Sequence, residues 1–265
     1  MGTEMSLLVG TCGYGDYRPP EGWRERYDTK LQAYSEAFDV LEVNRTFYKL
    51  PMVKTASKWA EEARDLVFTV KAWQAITHPT SSPTWRKRKE GLSEDQRSNF
   101  GHFSPNREVF EAWEGTRERA EAMGAEVCLF QSPAAFSCTR ENEENLREFL
   151  GSIDRGGLRL AWEPRGDWNL NLDRVKEVCD DLEVIHVVDV MRREPVSDHA
   201  WTYIRLHGLN EREYDYNYEY SKEEISDLAR RLEDLRGSHD RVFCLFNNTA
   251  MIENARSLLE LLRGE

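Results

Sequence analysis

The sequence predicts an α/β fold, a single (β/α)8 barrel of the TIM type spanning residues 1–265. Eight short runs rich in β-branched and aromatic residues recur along the chain, most are followed by a stretch with helical apolar spacing, and nearly every run ends in a charged or amide side chain. Strands separated by helical stretches build right-handed βαβ units and a parallel sheet, and eight such units close into a barrel. A length of 265 residues suits one such barrel of about 250 residues.

In order, the strand runs are Leu7 to Cys12, Asp39 to Asn44, Leu66 to Lys71, Glu126 to Gln131, Leu158 to Glu163, Val184 to Asp189, Trp201 to His207 and Arg241 to Asn247. Helical spacing of apolar residues marks Leu31 to Phe38, Val53 to Ala63, Val109 to Met123, Asn142 to Leu150, Leu172 to Cys179, Ile225 to Leu235 and Ile252 to Leu262. These fill seven of the eight helix positions. The sixth connection, Met191 to Ala200, contains Pro195 and is too short for a full helix, so it is expected to be short or irregular. The loop after strand three, Pro79 to Asn106, is unusually long, which is typical of lids and binding arms. Its run Trp85-Arg86-Lys87-Arg88-Lys89 reads as a solvated basic face more readily than as a phosphate contact.

Composition narrows the function classes. A net charge of -12, with only nine lysines among 36 basic residues, makes this an acidic protein and disfavours nonspecific nucleic-acid binding. No apolar stretch approaches the ~20 residues of a membrane span and no signal peptide is visible, so a soluble, cytoplasmic protein is expected. Five scattered cysteines without a CxxC pair argue against a disulfide framework or a zinc knuckle. With six histidines, most away from strand ends, no dependence on zinc is expected and no cofactor is assigned.

Strand parity locates the chemistry, because successive side chains point alternately into the barrel and out toward the helices. On the second strand Leu41 and Val43 belong under the helices, which sends Glu42 and Asn44 inward. The same reasoning turns Lys71, Gln131, Glu163, Asp189, Arg205, His207 and Asn247 to the interior or its upper rim, with Arg165 just above Glu163. Three cations (Lys71, Arg165, Arg205) then face three carboxylates (Glu42, Glu163, Asp189), which predicts a balanced internal network.

Several segments resemble the YecE-like family, domain of unknown function seventy-two. They are Gly10-Thr11-Cys12-Gly13-Tyr14, the run from Glu42 through Asn44, Thr46, Phe47 and Tyr48 to Leu50-Pro51, Val70-Lys71-Ala72 with Ile76-Thr77-His78, Phe130-Gln131-Ser132-Pro133, Glu163-Pro164-Arg165 with Trp168, Arg205-Leu206-His207-Gly208, and Phe246-Asn247-Asn248 with Glu253-Asn254-Ala255. The resemblance covers nearly the whole chain and implies a TIM barrel. It supplies no reaction. Cys12 stands where a serine is usual, Pro164 interrupts the usual Glu-Phe-Arg, and Thr249 to Ile252 replaces a more typical turn.

Glu42 and Glu163 are the candidate acid/base carboxylates, since a carboxylate among apolar walls can have its pKa raised toward neutrality, whereas an adjacent cation keeps it ionised. An ion-pair layer that holds the barrel shut is the competing reading. Arg165, Arg205 and Lys71 are expected to form an anion clamp, the alternative being that they pair with those glutamates. On the clamp reading, Arg205→Met costs less than about 1.5 kcal/mol of stability. His207, more than His78, is a candidate proton shuttle. A magnesium or manganese ion on Glu42, Glu163 and Asp189 is a further alternative. Asn44, Gln131, Asn247 and Asn248 complete the candidate substrate-binding set, Asn248 and Asn247 serving otherwise as helix caps. Tyr214, Tyr216, Tyr218 and Tyr220, flanked by acidic residues, read as a packed loop over the barrel mouth. The expected function is a hydrolase or isomerase acting on a small anionic substrate, phosphorylated compounds included. The alternatives are an endonuclease-four-like nucleic-acid-processing or DNA-binding barrel, by fold analogy alone, and a noncatalytic metabolite- or protein-binding barrel with a closed ion-pair network and no ligand-sized cavity.

Overall fold

The computed structural model describes residues 6–86 and 89–264. Eight parallel strands close into a barrel in chain order: β1 (Ser6–Thr11), β2 (Val40–Val43), β3 (Val67–Lys71), β4 (Val127–Gln131), β5 (Arg159–Glu163), β6 (Ile185–Val188), β7 (Trp201–Leu206) and β8 (Arg241–Phe246). The (β/α)8 architecture expected from the sequence is therefore the one observed. Several strands stop one residue short of their sequence runs. Asn44 already has helical backbone angles (φ -65°, ψ -20°), and the His207 N–H turns to the Asp189 carboxylate at 3.0 Å, so these terminal polar residues leave the sheet to bind the loops above it.

The helices are α1 (Lys30–Ser35), α2 (Arg45–Tyr48), α3 (Val53–Glu62), α4 (Gln74–Thr77), α5 (Glu94–Asn99), α6 (Arg107–Met123), α7 (Arg140–Ser152), α8 (Leu172–Asp181), α9 (Lys222–Arg236) and α10 (Met251–Arg263). Side-chain caps set several starts: Asn106 and Thr139 accept from the N–H two residues into α6 and α7, and Thr29, Ser93 and Ser221 form capping boxes with Gln32, Gln96 and Glu224. The first helix ends at Ser35, short of the expected Phe38. Its apolar spacing continues because Phe38 is buried by a turn that leads into β2, a contact that periodicity cannot tell from another helical turn. The connection from β6 to β7 contains no helix, as its proline and length predicted.

Parity holds around the whole barrel. Cys12, Val40, Val127, Leu129, Ala161, Ile185, Val187, Tyr203, Phe243 and Leu245 form an interior cluster, whereas Leu41, Val43, Phe68, Cys128, Trp162 and Ile204 join the larger layer between strands and helices. One glycine is obligatory for closure: a Cβ on Gly10 would stand 1.8 Å from the Val40 carbonyl oxygen, so the β1–β2 approach admits no side chain there.

The long segment after β3 is not an arm. Gly101, His102 and Phe103 donate backbone hydrogen bonds to Ala75, Thr77 and Ile76, and Trp85 and Phe100 stack at 5.8 Å beside Trp73. Within the basic run, Trp85 is buried and Arg86 exposed, while Lys87 and Arg88 lie outside the described residues.

Candidate functional site at the barrel mouth

The apolar interior ends in a layer of charge at the carboxyl ends of the strands. Arg205 of β7, 1% exposed, reaches across the barrel and donates one guanidinium nitrogen to Glu42 (2.8 Å) and another to Glu163. Glu42, with no exposed surface, also accepts from the Tyr203 hydroxyl at 2.9 Å, and Tyr203 in turn contacts Thr69 at 2.7 Å. Glu163 carries a second cation above it: Arg165 donates from Nε to Glu163 Oε1 at 2.8 Å. The amide oxygen of Gln131 accepts from Lys71 (2.9 Å), Arg165 (2.9 Å) and, more distantly, Arg205 (3.4 Å).

This geometry corrects the expected balance of three cations and three carboxylates. Asp189 stands outside the network, because its carboxylate is taken by the backbone N–H groups of His207 (3.0 Å) and Met191 (3.1 Å). Those bonds hold the helix-free turn after β6. Two carboxylates therefore face three cations, and Lys71 is the one left without an ion pair among the described residues. A neutral oxygen, that of Gln131, and the face of Phe47 at 4.0 Å take the place of a counter-ion. The expected divalent-cation set of Glu42, Glu163 and Asp189 does not assemble. Among the described residues no three metal-ligating side chains converge, since the two glutamates are committed to arginine and the aspartate to backbone.

The electrostatic consequences fall on Glu163, Lys71 and Arg205. Burial pushes the Glu163 carboxyl up, but Arg205 and Arg165 outweigh it and hold the group well below the usual carboxylate range. Glu163 is thus held in its ionised form, the outcome expected of a carboxylate with an adjacent cation. Lys71 moves the other way. Burial, joined by the like charges of Arg205 and Arg165, lowers its ammonium to about 7. The expected role of Arg205 as a waiting anion clamp is also corrected, because both ends of its guanidinium are committed to buried carboxylates.

His207 lies beside Glu163 and Asp189, each 3.8 Å away, and among the described residues neither ring nitrogen has a hydrogen-bond partner within bonding distance. Burial lowers its pKa, which favours the neutral ring, against the opposing pull of Asp189. His78 is further from use: its Nδ1 meets the Thr77 hydroxyl at 2.7 Å, and burial, with Lys71 next, lowers it to about 3.

Above the ions lies the tyrosine loop between β7 and α9. Arg165 donates to the Tyr216 hydroxyl at 3.1 Å and sits 3.9 Å from the Tyr214 ring centroid, while both rings pack against His207. Gly208, at φ +105°, starts this loop, and a Cβ there would meet the Tyr218 side chain at 2.3 Å. The loop's other end is tied down by Asn248, whose amide nitrogen donates to the Tyr218 carbonyl (2.7 Å) and to Asn254 (2.8 Å). Asn248 is accordingly a strap for the cover, in place of the substrate ligand or helix cap expected of it. Asn44 similarly joins strand ends by donating to the Cys12 carbonyl at 3.0 Å. Asn247 is half-buried, and its side-chain amide makes no hydrogen bond among the described residues. Tyr203 and Thr69 were missed by sequence reasoning. The signal was present, since Tyr203 precedes Arg205 by two residues on the inward face and Thr69 precedes Lys71 in the same way.

Among the described residues no helix is long and apolar enough to cross a membrane. A DUF72 protein from Enterococcus faecalis V583 superposes with a TM-score of 0.71 at 19% identity, covering 97% of each chain, and one from Thermotoga maritima MSB8 with a TM-score of 0.67 at 22% identity, covering 97% of this chain and 99% of that one. A D-psicose 3-epimerase shares the barrel more distantly, with a TM-score of 0.54 at 13% identity over 97% of this chain and 98% of its own, a likeness of fold alone. In sequence, the UPF0759 protein YunF of Bacillus subtilis (strain 168) is 27% identical over 289 residues, spanning 97% of this chain and 94% of its own. Residues 8–265 match the family described as "Protein of unknown function DUF72", and the chain belongs to that family.

Proposed function

We propose that the protein is an enzyme of the isomerase or hydrolase type that binds a small anionic substrate at the barrel mouth and moves a proton through Lys71. The observation that carries this reading is the surplus cation: two arginines and Lys71 share two carboxylates, and the lysine, buried at a strand end, has no counter-ion of its own among the described residues. An anion with a matching charge would complete the layer. Lys71, with a value near 7, would serve as proton donor or acceptor, and the neutral ring of His207 would be the second group within reach of the same space. Arg165, on the rim above Glu163, would hold the anion, while Arg205 stays locked below. Tyr214 and Tyr216 would have to lift from Arg165 to admit the substrate and would then exclude water over it.

Thermal unfolding with inorganic phosphate and with 2-phosphoglycolate tests this reading. Both anions should raise the melting temperature of the wild type, and the effect should vanish in Arg165→Met and Lys71→Met. A wild type indifferent to every anion would favour the noncatalytic barrel, a second reading supported by the closed contacts of Arg205 with both glutamates and of the tyrosines with Arg165.

A further inference from the structure

A cavity lies outside the barrel wall, away from the ion network. The β1 and β2 strands pair over only two residues, Gly10 with Val40 and Thr11 with Leu41, and separate above that point. Gly13 and Gly15 occupy the gap, and a Cβ on either would meet nothing within 4 Å. The space left is a cavity of about 350 Å³ against β2, α1 and α3. Its walls are the outward side chains Leu41, Val43 and Phe68, closed by Leu31 and Trp59. The Glu42 side chain points the other way, into the barrel, so the strand itself separates this cavity from the charged layer.

The walls demand an apolar body, because a sugar or a polyol would lose water from its hydroxyls there and gain no hydrogen bonds. The rim demands a negative charge. Arg45 is exposed, and its guanidinium makes no hydrogen bond or ion pair among the described residues. The Lys30 ammonium donates to the Gly15 carbonyl at 2.6 Å, forms no ion pair among the described residues, and is lowered by burial and by neighbouring Arg18, against the opposing pull of Asp16. The other carboxylate facing this rim is Glu62, which is paired with Lys58 at 3.4 Å. Of the charged residues that line the cavity, Lys30 and Arg45 are the cations, and the one lining carboxylate, Glu42, turns its side chain into the barrel. Tyr14, whose hydroxyl makes no hydrogen bond among the described residues, adds a neutral donor.

We infer that this cavity is a binding site for an amphipathic monoanion, an aromatic carboxylate whose ring lies against Trp59, Phe68 and Leu41 and whose carboxylate meets Arg45. The volume falls within the range of small-ligand sites and accommodates a fused bicyclic ring.

Calorimetric titration at low salt, with 2-naphthoate and its neutral isostere 2-naphthamide as probes, tests this directly. Arg45 stands on the exposed rim, so Arg45→Ala leaves the fold intact. The naphthoate should bind the wild type saturably at one site. The naphthamide on the wild type, and the naphthoate on Arg45→Ala, should each bind about three- to ten-fold more weakly, the scale of a partly exposed charge pair. Arg165→Met, altered at the barrel mouth, should bind naphthoate like the wild type. Absence of saturable naphthoate binding up to millimolar concentration would overturn the assignment. So would equal affinity for the two probes, an unchanged affinity in Arg45→Ala, or loss of binding in Arg165→Met, which would move the probe to the mouth.

Discussion

Replacing Arg205 with Met should destabilise the protein strongly, the opposite of what a waiting anion ligand would do. Arg205 is buried and bridges Glu42 and Glu163. Methionine keeps part of the aliphatic stem and deletes both ion pairs. Glu163 would retain Arg165, but Glu42 would keep the Tyr203 hydroxyl and lose its ion pair. Removing one partner of a buried pair and stranding the other costs about 3–5 kcal/mol. For a domain of this size that is on the order of 6–20 °C in melting temperature. Urea unfolding followed by circular dichroism at pH 7 gives the free energy directly. The double variant Arg205→Met with Glu42→Gln should recover part of the loss, because the stranded charge is gone, so the two single effects should exceed the double effect. A loss below about 1.5 kcal/mol, the size of an ordinary point-mutant effect, would refute the structural role of Arg205. So would strictly additive effects, which would mean that Arg205 and Glu42 do not interact.

Lys71→Met should be more stable than wild type at pH 7 by about 0.5–2 kcal/mol, since it removes a cation buried without a counter-ion. Because folded Lys71 titrates near 7, well below its unfolded value, wild-type stability rises as pH climbs from about 7 toward 10.5 and the variant's advantage should shrink over that window, an outcome read from urea midpoints. His186, lowered by burial to about 4, and His78, lowered to about 3, remain neutral where unfolded histidine takes up a proton. Stability should accordingly fall as pH drops below about 6.5 toward 4, and a flat profile across that range would contradict their burial. Of five free cysteines only Cys138 is partly exposed, so a thiol-reactive disulfide reagent should modify one group in the native protein, slowly because burial raises that thiol, and five after unfolding. Fast labelling of two or more native thiols would show that the barrel core opens.

The barrel and the end of it that carries the charge were legible in the sequence because both depend on local periodicity. Val40, Glu42 and their outward neighbours Leu41 and Val43 alternate within four residues, and that alternation alone assigns each to a face. Strand ends are likewise marked locally, by polar residues that follow an apolar run. The pairing among those residues was not legible. Arg205 lies 163 positions from Glu42 and 42 from Glu163, and which carboxylates it meets depends on the angular placement of β2, β5 and β7 around the closed barrel. Asp189 shares the inward face with the rest, yet the helix-free turn above β6 offers it two backbone N–H groups, and these remove it from the network. Asn248 and Asn247 are adjacent in sequence, but only the fold sends one to strap the tyrosine loop and leaves the other at the mouth. Local patterning thus decided which way each side chain points, and only closure of the barrel decided what each one meets there, because a contact across its axis depends on the position of every strand between the two partners.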